Sequence, residues 1–359
     1  IRRYAELRAL DTRNLSDADQ LTYDVLRAQF EAAAMGADFD YGVFTPMGGV
    51  SPYVLNQMDS AFLTLPSFMD DRTIVQSTAD AEAYLTRLRA VADAIDQETA
   101  QARADAGRGV RPPLFIIDAT IGLLDGVISE APIQSIYVTG FRRKLEALAA
   151  AETDATQRAA IEQRHLGFVA RAEQTVRDHV IPAHQRAAAF LRSERIHATD
   201  QAGIGHLPRG AEYYAAALRI ETTTSETPAQ IHRIGLDRVR ALNSQLDIAL
   251  RRVGLTEGTV GARLSQMTAD PRYAYPETDE GRAQLLNDVR VRIARVMERA
   301  PQWFGRMPRA PLEVRRVPEF LEATQSGAYY NPPSLDGSIP GIYFINMRSL
   351  AEMTRIDLP

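Results

Sequence analysis

The stretch "SGAYYNPPSLDGSIPGIYFINMRSL" (Ser326–Leu350) is where the texture of the chain changes. Gly341–Met347 is rich in β-branched and aromatic residues and follows a Pro-Gly pair, which reads as a strand. Asp336-Gly337 reads as a tight turn. Just upstream, "PLEVRRVPEF" (Pro311–Phe320) sets Leu312, Val314 and Val317 among charged residues between prolines, a second strand pattern. Two strands enclosing one loop predict a small sheet near the C-terminus.

Outward from that sheet the pattern is helical. In "TTTSETPAQIHRIGLDRVRALNSQLDIALRRVGL", Thr227 is a candidate N-cap, Pro228 suits the first helical position, and Gln230 completes a capping box. Ile231, Ile234, Val239, Leu242, Leu246, Ala249 and Val253 then make an apolar stripe, closed by Gly254. Ser77 and Asp80 cap another helix carrying Leu85, Leu88, Val91 and Ile95. "GRGVRPPLFII" (Gly107–Ile117) stops that helix and starts the next. The Ala-rich run Leu145–Leu191 predicts two antiparallel helices, with a kink or boundary at Pro182. The fold class expected is therefore mainly α: a multi-helical body with one small sheet. A weak division falls in the Gly-rich loop at His197–Leu218. It separates a helical region, 1–200, from a helical region plus sheet, 201–359, within one continuous domain.

Composition narrows the function. The 359 residues are 45% apolar and 24% charged, with a net charge of −5, an ordinary globular balance without a nucleic-acid footprint. No apolar run reaches the roughly 20 residues of a membrane helix. Cysteine is absent, which removes disulfides, thiolate metal sites and cysteine nucleophiles. The chain opens on Ile1 and stops at Pro359, which reads as a trimmed piece.

The six histidines do not make a helical zinc pair, which needs two rings one turn apart. His179 and His184 are five apart with Pro182 between them. No metal site, nucleophile elbow or phosphate loop is readable. His232 either turns into a cavity to touch a ligand or is bonded within the structure. The Ser326–Leu350 stretch offers more. Its strand, if at a sheet edge, could pair with an extended peptide. Tyr329, Tyr330 and Tyr343 supply rings with polar tips, and Asn346 can match a peptide group. Asn331, Ser334, Asp336 and Gly341 lie in the same candidate binding segment. The alternative is a structural loop clad in tyrosines.

"AYYNPPSLDGSIPGIYFINMRSL" resembles the bacterial family called domain of unknown function 885. "GHLPRGAEYYAAALRIETTTSETPAQIHRIGL", "GRGVRPPLFIID" and "PMGGVSPYVLNQMDSAFLTLPSF" extend the resemblance over most of the chain. It implies a zincin-like, gluzincin-type architecture: a helical body with a small sheet beside a cleft. A following helix would carry His-Glu-x-x-Pro-Gly-His, two histidines binding zinc and the glutamate activating water. That motif is not in these residues. The resemblance thus implies the N-terminal majority of a zinc-dependent peptidase, inactive alone, with no zinc expected on this chain and a possible oxyanion role for Tyr330. Expected partners are a peptide substrate, the missing C-terminal portion and a second copy pairing through the open strand. The family also points to the periplasm or cell envelope, some members being lipoproteins. A non-catalytic helical protein that binds peptides or a partner chain is the alternative.

Overall fold

The computed structural model describes residues 2–45, 49–319, 322, 327–334, 336–351 and 353–356. They divide into two units, Ile1–Ile231 and His232–Pro359.

The first unit runs α1 (Arg2–Arg8), α2 (Asp17–Gly36), β1 (Val43–Thr45), β2 (Gly49–Ser51), α3 (Ala61–Ser67), α4 (Thr78–Gly107), α5 (Leu114–Ser129), α6 (Ile136–Ala150), α7 (Ala155–Thr175), α8 (Ile181–Arg195) and α9 (Gly210–Thr222). Ser77 caps α4 by accepting from the Asp80 amide at 3.2 Å. Tyr84, Leu88, Val91 and Ile95 follow at helical spacing, and all four are buried. Tyr84 stacks on Phe141 of α6 at 4.1 Å between centroids and donates to the Tyr137 carbonyl at 2.8 Å. Its hydroxyl is thereby satisfied inside an apolar core. Small buried residues on α8 (Ala183, Ala187, Ala188) let it lie close to its neighbours α4 and α5.

The Leu145–Leu191 run departs from the expected helix pair. The chain reverses at Ala151–Asp154, between α6 and α7, and α7 then continues through a π-helical turn, Val176–Val180, into α8. Pro182 sits in the first turn of α8. A proline there lacks the N–H the preceding helix would use, and the wider turn accommodates that loss without a reversal. His184 is fully buried, and its Nδ1 donates to the Val180 carbonyl at 2.8 Å. The hairpin of β1 and β2, paired antiparallel, was not visible in the sequence pattern.

The second unit takes in most of α10 (Pro228–Arg252), followed by α11 (Val260–Thr268), α12 (Asp279–Arg299), β3 (Leu312–Arg316), β4 (Ala328–Asn331) and β5 (Gly341–Ile345). The strands form one sheet in the order β3-β5-β4. Leu285 and Val289 of α12 pack with Val314 of β3, Ile345 of β5, Tyr275, Met347 and Leu350, making the larger core of this unit. The segment after β5 is tied back to the start of α12. Glu277 Oε1 accepts from the Leu350 amide at 2.5 Å, the Ala351 amide at 2.9 Å and the Ser349 hydroxyl at 3.2 Å.

Candidate functional site

β5 lies in the middle of the sheet, not at its edge. It pairs in parallel with β3 (Leu312↔Gly341 through Arg316↔Ile345) and antiparallel with β4 (Ala328↔Ile345 through Asn331↔Ile342). The expectation that this strand would be open to a peptide is therefore corrected: both of its sides carry a neighbouring strand. Four of its five residues are buried, the pattern of a strand covered on both faces. The edge on that side is β4, a strand hidden in what the sequence presents as loop.

The register sorts the tyrosines. Tyr330 stands directly opposite Tyr343, so the two share a face. Tyr343 reaches the core built on α12, whereas Tyr330 is 51% exposed. Gly341 explains where Tyr330 can go. A Cβ added there would fall 2.5 Å from the Tyr330 hydroxyl and 3.1 Å from its ring, so only glycine lets the ring lie across β5. Tyr329 points to the opposite face and stacks on Phe344 with centroids 5.0 Å apart, beside Val317 and Ile342.

Ser334 and Asp336 serve the loop itself. Ser334 Oγ donates to Asp336 Oδ1 at 2.5 Å, the Ser338 amide and hydroxyl donate to the same oxygen at 3.0 and 2.8 Å, and Ser334 Oγ accepts from the Ile339 amide at 2.9 Å. The hydrogen bond from Ser334 and those from Ser338 hold the Asp336 carboxyl down at about 2. The tight turn is present: the Gly337 amide donates to the Ser334 carbonyl at 3.0 Å, with Gly337 at φ 77°.

Asn346 is engaged with the protein's own backbone. Its Nδ2 donates to the Glu322 carbonyl at 2.7 Å, and its Oδ1 accepts from the Arg348 amide at 3.0 Å. Glu322 is the residue that sequence reasoning missed. It is 6% exposed, takes a two-pronged bond from Arg316 (2.7 and 3.0 Å) and accepts from the Met347 amide at 3.1 Å. The Arg316 guanidinium keeps the Glu322 carboxyl below the usual carboxylate range. Nothing in the sequence around Glu322 marks it, because its partners lie on two other segments.

Tyr329, Tyr330, Asn331, Gly341 and Tyr343 are thus brought together on two adjacent strands, with Ser334 and Asp336 in the loop between them. His232 is exposed on α10. No group of three or more His, Asp or Glu residues able to hold a metal exists among the described residues, so they do not fit a zinc centre. What the strands offer on one face is a surface, the ring and hydroxyl of Tyr330 backed by a fixed sheet, while Asn331 belongs to the Tyr329 face.

Comparison with known proteins agrees with this architecture. The chain matches the sequence model of the family described as "Bacterial protein of unknown function (DUF885)" over residues 2–359. No curated protein matches it. Among solved structures it is similar to a candidate lipoprotein from Colwellia psychrerythraea, with a TM-score of 0.86 and 25% identity. That likeness covers 99% of this chain and 59% of the other.

Proposed function

Because the chain belongs to the DUF885 family, we propose that it forms the substrate-binding wall of an enzyme that hydrolyses peptide or related amide bonds. The observation that carries this reading is the exposed Tyr330 laid across Gly341 on β4, an edge strand of the sheet. A peptide running beside β4 would meet the strand's edge and, on the Tyr343 face, a flat apolar ring with a hydroxyl donor. The Tyr330 O–H is suited to donate to a carbonyl oxygen, and more strongly as that oxygen gains charge. Tyr343 and Gly341 hold the ring in place, while Asn346 and Glu322 fix the end of the strand. When bound, zinc would supply water activation and carbonyl polarisation. The described residues furnish no ligand set for it, and on this reading the ligands would come from polypeptide outside them. The neighbour's description as a candidate lipoprotein supports a cell-envelope location.

The exposed Tyr330 on an edge strand suits a second reading equally, a peptide-binding protein without hydrolysis. One experiment separates the two. The complete product of the gene is incubated with a peptide library, with and without chelator, as wild type and as Tyr330→Phe. The enzyme reading predicts chelator-sensitive cleavage and a kcat for Tyr330→Phe lower by about 10- to 100-fold with KM little changed. Peptide binding without cleavage would establish the second reading. Cleavage unaltered in Tyr330→Phe would remove the role given to that hydroxyl.

A further inference from the structure

α10 is a 25-residue helix whose apolar side is left half exposed over its middle by the described residues. Thr227 and Gln230 close its capping box, with the Thr227 amide 2.8 Å from Gln230 Oε1 and the Gln230 amide 3.3 Å from Thr227 Oγ1. At the other end it is anchored: Leu250 is buried, and Asp247 is held by Arg263 at 2.5 Å and Arg251 at 2.8 Å. Between these ends Ile231, Ile234, Val239, Leu242, Leu246 and Ala249 fall within an arc of roughly 140° at 3.6 residues per turn. Yet Ile234 is 50% exposed, Val239 56% and Leu242 54%. A stripe of that width is the signature of a helix packed against protein, and an exposed one calls for a covering partner.

Three observations select the occupant. The likeness to the Colwellia structure takes in only 59% of that chain, so roughly two-fifths of its length has no counterpart here. α10 has no Phe, Tyr or Trp to anchor it in a lipid interface. On its apolar side the charged residues are Arg238 and, at the margin, Arg252, with no aspartate, so two copies face to face would set arginines together. We infer that the apolar face of α10 from Ile234 to Leu246 seats a further segment of the same protein, outside these 359 residues, with an apolar packing face and acidic flanks. The inference does not depend on hydrolysis.

The absence of cysteine makes the test clean, since any introduced thiol is the sole one in these residues. Val239→Cys, Leu242→Cys and, on the opposite side of α10, Ser244→Cys are made in the complete gene product. Maleimide labelling is timed in buffer and in urea. Val239→Cys and Leu242→Cys are expected to react at least tenfold more slowly than Ser244→Cys in buffer, at any protein concentration, and equally fast in urea. Equal rates in buffer, or a reading frame that adds no residues, would overturn the inference. Protection that disappears on dilution would also overturn it, assigning the face to a second copy instead. The milder Leu242→Ser, read by size and helix content, controls for misfolding of the cysteine variants.

Discussion

The two units bury their apolar side chains to different degrees. In Ile1–Ile231, four aromatic and aliphatic residues of a single helix (Tyr84, Leu88, Val91, Ile95) vanish into one core shared by α3 to α8. In His232–Pro359, the main core is a patch between α12 and one face of a three-stranded sheet, while Ile234, Val239 and Leu242 on α10 stay half exposed. Both units use amphipathic helices of good capping chemistry. What separates them is whether a second surface is present to receive the stripe. Propensity and capping form a helix, but the larger share of its stability in a protein comes from burying its apolar side.

The largest test of this contrast is cavity formation. Leu88→Ala should cost about 3–4 kcal/mol and Leu285→Ala about 2–3 kcal/mol, as each empties a fully buried site. In urea the two substitutions should shift separate transitions, the His232–Pro359 unit melting first. A single transition moved equally by both would show that the units unfold together and end the comparison.

A smaller effect belongs to Glu98. Its two carboxylate oxygens accept from the Ala61 amide at 3.0 and 2.9 Å, and burial pushes its pKa up to about 7. The folded state therefore holds the proton more tightly than the unfolded chain. Its stabilising contribution is complete below about pH 4.5 and lost as the pH rises through about 7. Unit Ile1–Ile231 should lose about 1–2 kcal/mol over that window, and Glu98→Gln should flatten the profile. A slope that persists in Glu98→Gln would place its origin elsewhere.

The smallest effect is local to the loop before β5. Asp336 is held down at about 2, so its contribution is present above about pH 4 and fades as the pH falls towards 2. Asp336→Asn should speed hydrogen exchange at the Ser338 amide and remove its acid dependence. Exchange unchanged from wild type would show that Ser334 alone keeps the turn.

Legibility in the sequence followed the range of the interactions. The α10 capping box, the Ser77 cap, and the strands at Leu312 and Gly341 are set by neighbours a few residues away, and the structure has them. The position of β5 was misread because edge and centre are decided by β4, whose four residues carry no alternation long enough to stand out. Glu322 and its hold on Asn346 were invisible for the same reason: the partners are 24 residues apart. At the candidate site the residues Tyr330 and Gly341 could be named from sequence. Their contact could not, since it exists only in the β4–β5 register.

That strand order bears on how the protein is made. The central strand is synthesised last of the three, so β3 and β4 leave the ribosome with no partner between them and wait until Ile345 has emerged. Until then two unpaired segments are open to wrong pairings, and closure depends on contacts far apart along the chain. The C-terminal sheet is thus the region where translation speed and chaperone capture would weigh most on yield.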